Sequence, residues 1–168
     1  MYKQKSVFVI DSNFFIQAHR DSYPLDVASS FWTKVKELAA SRKIISIDKV
    51  KNEIYNYEDE LKQWCIVNLP SDFFKSTDGL TNEYRIITSW AIARNNQYNQ
   101  AAINEFLQAD EADAWLVAFA LNHRIPIVTQ EKSAPNSKTK IKIPDVCLAF
   151  DIQNINTIEM FRQLEEKF

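Results

Sequence analysis

The sequence predicts an α/β domain: a small, mostly parallel sheet with helices on both faces. Three observations carry this. Short apolar runs rich in β-branched residues recur along the chain, at residues 7–10, 44–47 and 125–128. Between them, apolar residues return at helical spacing. The hydrophobic fraction is 46% of 168 residues, enough for one core without disulfides or a structural metal. Strands that alternate with helices in this way pair in parallel and are covered on both faces.

Each element has its own signal. Val7-Phe8-Val9-Ile10 is uninterrupted and apolar, as a fully buried strand requires. Asp11-Ser12-Asn13 stops it, and Ser12 or Asn13 can cap a helix begun by Phe14-Phe15-Ile16. From Asp26 to about Ala40, the spacing of Val27, Phe31, Val35 and Leu38 is helical. Ile44-Ile45-Ser46-Ile47 reads as a second strand, after which Asp48 caps a helix through Val50 and Ile54. Residues 57–107 read as helical in pieces, one marked by Leu61, Trp64 and Cys65, another by Tyr84, Ile87, Trp90 and Ala91. A further helix starts near Asp110 and runs through Trp115, Leu116, Phe119 and Ala120. Residues 125–128 form a third strand, and Pro144 opens a short helix. Asn154-Ile155-Asn156 gives a last strand, and Thr157 caps a final helix. There is no repeat and no linker, so residues 1–168 read as one domain.

Composition narrows the function. Gly79 is the single glycine. A dinucleotide-binding turn, a P-loop and a serine nucleophile elbow each need more than one. Phosphate must therefore be handled by side chains or metal. Gly79 itself suits a turn before a helix, and the 13 asparagines can cover other left-handed turns. The net charge of −2 gives no global attraction to nucleic acid, so contact with it needs a local basic patch. Cys65 and Cys147 stand far apart, as reduced buried thiols do, and no zinc motif is present. No apolar run is long enough to cross a membrane. The apolar start at residues 7–10 is too short for a signal sequence, so the chain reads as cytoplasmic.

In a parallel sheet, ligands sit beyond the carboxyl ends of the strands. Asp11 directly follows the first strand, although a cap or Asx turn would also explain it. Glu53 lies on the apolar face of Val50, Ile54 and Tyr57, where a charge needs a pairing residue or a metal. Asp110, Glu111 and Asp113 form an acidic helix start suited to the dipole, with Asp110 the expected cap and Asp113 the most inward of the three. Glu131 follows the third strand, and Asp145 follows the basic segment. Carboxylates gathered at one sheet edge repel unless a cation sits among them, and oxygen-only ligation favours Mg²⁺ or Mn²⁺.

These residues fall in motifs. The strand followed by Asp11-Ser12-Asn13 resembles the opening of PIN-domain nucleases. The stretch Ile45-Ser46-Ile47-Asp48 through Glu53-Ile54 resembles their second motif, and Ala112-Asp113-Ala114-Trp115-Leu116 their third. Val128-Thr129-Gln130-Glu131 resembles the fourth, which normally ends in Asp. The tail from Pro135 to Cys147 is similar to an uncharacterised prokaryotic PIN-like family. The resemblance implies a three-layer α/β/α domain with endoribonuclease activity dependent on Mg²⁺ or Mn²⁺. VapC-type toxins of toxin–antitoxin pairs serve as its functional model, which makes RNA, an antitoxin protein and, in a homodimer, a second copy of the chain the expected partners. It implies Asp11, Glu53, Asp113 and Glu131 as catalytic metal-binding acids and Asn13 as a polar helper. Asp145 is the alternative fourth ligand, because Glu131 is one carbon longer than the usual Asp. Residues 57–110 are long for a small member of the family, which suggests a lid or partner surface.

Lys138, Lys140 and Lys142 alternate with Thr139, Ile141 and Ile143 at strand period, with Lys132 nearby. They read as an RNA-steering patch or as a lysine-protected edge strand. Trp32, Trp64, Trp90 and Trp115 fit core stripes, and His19 and His123 fall outside the acidic site. Two other readings stay open: a catalytically weak PIN-like module that binds RNA or protein, and a haloacid-dehalogenase-type phosphatase. The phosphatase lacks its second acid, since Asn13 stands two residues after Asp11.

Overall fold

A computed structural model describes residues 6–168. It is α/β, with one five-stranded sheet in the order β3-β2-β1-β4-β5, parallel at every pairing. The strands are β1 (Phe8–Ile10), β2 (Ile44–Ile47), β3 (Phe74–Lys75), β4 (Ile127–Val128) and β5 (Asn154–Ile155). The α-helices are α1 (Ser12–Gln17), α2 (Ser29–Ala40), α3 (Asp48–Tyr55), α4 (Glu60–Asn68), α5 (Thr81–Ile92), α6 (Gln100–Phe106), α7 (Ala112–His123), α8 (Ile143–Ala149) and α9 (Thr157–Leu164). One turn of π-helix, Ala18–Ser22, extends α1. The arrangement is consistent with the three-layer α/β/α fold expected.

The central strand is β1, whose three residues are fully buried. The chain builds outward on one side through β2 and β3, then crosses back to place β4 and β5 on the other. The order reverses between β1 and β4. In open parallel sheets, that reversal point opens a crevice at the carboxyl ends of the strands. Asp11 ends β1 and Thr129 ends β4, so topology alone brings these two residues together. Helix α7 is buried at Ala112, Ala114, Leu116, Val117, Ala118, Phe119 and Ala120. Such an all-round apolar helix sits between layers, and α7 packs on α5, α3 and α8.

Several local expectations are corrected. Strand β3 lies inside the segment read as helical; two residues carry no periodicity that could reveal it. Strand β4 is shorter than residues 125–128, because Pro126 has no N–H to give the ladder; its carbonyl accepts from Val9 N–H at 3.0 Å. Val27 is 79% exposed, in a turn ahead of α2, so it is not part of that helix's apolar stripe. Asp48 does not cap α3; its carboxylate accepts from the N–H and hydroxyl of Thr77. The N-cap position of α1 is Asp11, not Ser12 or Asn13. Asn156 caps α9 through a reciprocal capping box with Glu159, while buried Thr157 accepts from the Gln130 amide.

The turn at Gly79 stands, with φ +85° just before α5. The other left-handed residues among those described are Arg42, Arg124, Asp151 and Glu165, so no asparagine takes that role. Cys65 and Cys147 are free and buried, and burial pushes both thiols up to about 12. Residues 57–110 join the main core through Leu61, Cys65, Phe73, Ile87, Ala91, Ile103 and Phe106. Among the described residues, no helix is long and apolar enough to cross a membrane.

Candidate active site

Asp11 leaves β1 at the reversal point and is 1% exposed. Thr129, itself buried at the end of β4, donates its hydroxyl to Asp11 Oδ2 at 2.8 Å. The same hydroxyl accepts from the N–H of Glu131 at 3.1 Å. One side chain thus ties the first acid to the backbone of the fourth. Beneath them, Ser46, fully buried in β2, donates to the carbonyl of Ile10 at 2.6 Å and fixes the end of β1. Ser12 Oγ lies 3.4 Å from Asp11 Oδ1.

Glu53 projects from α3 towards the start of α7. The first N–H groups of a helix have no partner within it. Neither Asp110 nor Glu111 supplies a side-chain cap to α7. Glu53 does, accepting from Ala112 N–H at 3.0 Å. This explains why a carboxylate sits on the apolar side of α3, and it sets Glu53 beside Asp113 one residue on. Glu131, with its side chain 7% exposed, accepts from Ile143 N–H at 2.8 Å through Oε2. Its Oε1 faces Lys142 at 3.6 Å and Lys140 at 3.9 Å.

Ser12, Asn13, Glu53, Glu111, Asp113, Glu131 and Lys140 share the wall of one open cavity of about 310 Å³. Asp11 lies sealed behind it. A 480 Å³ cavity at the amino ends of β4 and β5, lined by Arg124, Pro126 and Asp151, is at the opposite end of the sheet.

The electrostatics are only partly compensated: Lys140 and Lys142 face Glu131, while Asp11 and Asp113 have no ion-pair partner among the described residues. Burial pushes the Asp11 carboxyl up from 3.8 to about 6, against the Thr129 hydrogen bond, and the charges of Glu131 and Glu53 push the same way. Asp113 is raised well above the usual carboxylate range, first by burial, then by Asp11, Glu131 and Glu53. No described residue donates a hydrogen bond to Asp113, and Lys140 opposes its shift only weakly, as the last of its contributions. Glu111 is also raised, by burial and then by Glu53.

The structure thus brings Asp11, Glu53, Asp113, Glu131 and Asn13 to one place. It does not bring Asp145. That carboxylate accepts from the Ser133 hydroxyl and from Ala134 N–H, so it pins the loop after Glu131 and leaves the cavity to Glu131. The edge-strand reading of residues 138–142 also falls, since they form no ladder. Only the alternation survives: Ile141 and Ile143 are buried while Lys140 and Lys142 turn to Glu131, and Lys132 and Lys138 point to solvent. Thr129 and Ser46 escaped the sequence reading as site residues. Their signal was a hydroxyl inside or just after an apolar strand, where it must find a partner.

Chemically, the cavity offers oxygen donors of one sign with basic groups at its rim. Among the described residues, no three His, Cys, Asp or Glu side chains already stand arranged to hold a metal ion. Glu53 and Glu131 instead turn to backbone N–H groups, as mutually repelling carboxylates do. No curated protein matches the chain. Residues 8–168, which include the whole sheet and every acid of the cavity, match the family described as Domain of unknown function (DUF4411), and the chain belongs to that family.

Proposed function

We propose that the acid cluster is a Mg²⁺ or Mn²⁺ centre and that the chain is a ribonuclease cleaving RNA phosphodiester bonds, as its resemblance to PIN-domain nucleases implies. One observation carries the reading: Asp11 and Asp113 are both held away from solvent among like charges, with only the weak opposing charge of Lys140 at Asp113. Burying carboxylates in this way costs free energy, and perturbed groups of this kind cluster at functional sites. The donor chemistry fits, since every candidate ligand offers oxygen.

Asp11, Glu53, Asp113 and Glu131 would hold the ion. When bound, such an ion polarises phosphoryl oxygens and supplies a nucleophile from water. The chain's own residues do the rest. Thr129 locks Asp11 in one orientation. The Asn13 amide offers N–H donors at the cavity wall. Lys140 and Lys142, released from Glu131, give ammonium groups to the phosphates of the strand. Ion-stripped protein incubated with mixed single-stranded RNA tests the proposal: cleavage is expected when Mg²⁺ or Mn²⁺ is restored and absent in chelator. Absence of cleavage under both conditions contradicts it.

Thr129→Val removes the hydroxyl that serves both Asp11 and Glu131. It raises the Asp11 carboxyl further and weakens Mn²⁺ affinity by about 10- to 100-fold, a cost typical of lost groups that orient metal ligands. Calorimetric titration with Mn²⁺ checks this, and Thr129→Ser restores most of the affinity.

One observation favours a second reading, a binding module without hydrolysis. Two lysines and an N–H already neutralise Glu131. A melting temperature that does not move on addition of Mn²⁺, together with RNA binding, would select it.

A further inference from the structure

We infer that Tyr57 is a stacking platform for one unpaired nucleobase of the RNA held at the acidic cavity, an inference that rests on the ribonuclease reading above. Tyr57 lies just beyond the C-cap of α3, four residues after Glu53. It lines the same cavity as Glu53, Asp113, Glu131 and Lys140. The residue is 52% exposed. The other large exposed aromatic among the described residues, Phe168, is used: it packs its ring on Tyr23, Phe31 and Phe161. Among the described residues, Tyr57 packs on no other ring. What it does meet is a cation, the Arg20 guanidinium, 5.3 Å from the ring centroid.

This pairing has a physical sense. Arg20 covers part of the ring and leaves the rest open to the cavity. A half-exposed aromatic ring beside a phosphate-handling site gives a base its π-face, and the arginine adds positive charge for the adjoining backbone. The four tryptophans do not offer this. Trp32 is buried, Trp90 lies under Arg94, and Trp115 is stacked on Tyr84 and approached by Lys49. Trp64 packs against Trp32. A stacking platform needs an unpaired base, so duplex RNA does not use it.

The test uses the full chain carrying Asp113→Asn, so that RNA is bound without being consumed. The probe is a fluorescent single-stranded RNA of about 10 nucleotides, within the span that single-strand sites cover. A series of the same RNA has one base removed at each position in turn. Adding Tyr57→Ala weakens binding by about 5- to 100-fold, the usual range for losing one base stack. Removing the base at one position weakens the parent by a similar factor and the Tyr57→Ala protein not at all, while Tyr57→Trp binds at least as tightly as the parent. Equal binding by parent and Tyr57→Ala overturns the inference. So do equal losses at every base position, preference for duplex, or no binding at all. The two readings separate cleanly. Position-specific coupling in the Asp113→Asn background, without any cleavage by the wild-type protein in Mg²⁺ or Mn²⁺, would leave the platform standing and sink the nuclease. Cleavage without coupling would do the reverse.

Discussion

Replacing Asp11 by asparagine raises the melting temperature of the ion-free protein at neutral pH and abolishes its response to Mg²⁺ or Mn²⁺. The first half follows from burial. The Asp11 carboxyl is raised from 3.8 to about 6, a cost to the folded state of about 3 kcal/mol once the group is ionised. The sign is fixed by linkage. The folded state binds this proton more tightly than the unfolded state. Below about pH 4 the group is protonated in both states and there is no penalty. The penalty grows as pH rises from about 4 to 6 and is complete at pH 7. Asparagine has the same shape and no charge, and its carbonyl can still accept from Thr129. The gap in melting temperature between variant and wild type should be near zero at pH 4 and largest above pH 6, at roughly 5–10 °C for a chain of this size. The second half follows from the donor set, since an amide cannot supply the charge that draws in a divalent ion. Melting curves across pH, in chelator and in Mn²⁺, check both halves.

The second large effect is on cleavage. Asp113→Asn lowers the rate of RNA cleavage by at least about 100-fold, in line with losing one charged group that stabilises a developing transition state. Unfolding does not explain the loss. Burial and the charges of Asp11, Glu131 and Glu53 hold the Asp113 carboxyl well above the usual carboxylate range, and asparagine keeps its shape without the charge. The variant should therefore melt no lower than wild type in chelator. Single-turnover cleavage measured beside a melting curve separates lost chemistry from lost structure.

Much of this site was legible in the sequence, for a local reason. An acid that ends an apolar strand, or sits inward at a helix start, is placed by its own neighbours. Asp11 and Asp113 were legible in this way, and Glu53 through its helical face. What escaped depended on partners far along the chain. Thr129 finds Asp11 across 118 residues, and Glu53 caps α7 across 59. No spacing rule reports such pairings. The choice between Glu131 and Asp145 depended on the path of residues 131–142, which is set by the Asp145 contacts to Ser133 and Ala134 and by Gln97 Nε2 donating to the Pro135 carbonyl at 2.8 Å. The parallel sheet was legible from its β-branched runs. Strand β3 was not, because two residues on an edge carry no period. The alternating lysines misled in one respect: alternation marks which side chains are buried, and a chain pinned by side chains can alternate without joining a ladder.

The central claim is that these four acids form one divalent-cation centre. Direct titration of ion-stripped protein with Mn²⁺, followed by calorimetry or by loss of the free-ion electron paramagnetic resonance signal, tests it most directly. Saturable binding by wild type, abolished in Asp11→Asn and in Asp113→Asn while both variants remain folded, is the predicted result. Binding that persists unchanged in both variants, or no binding by wild type, would contradict the account.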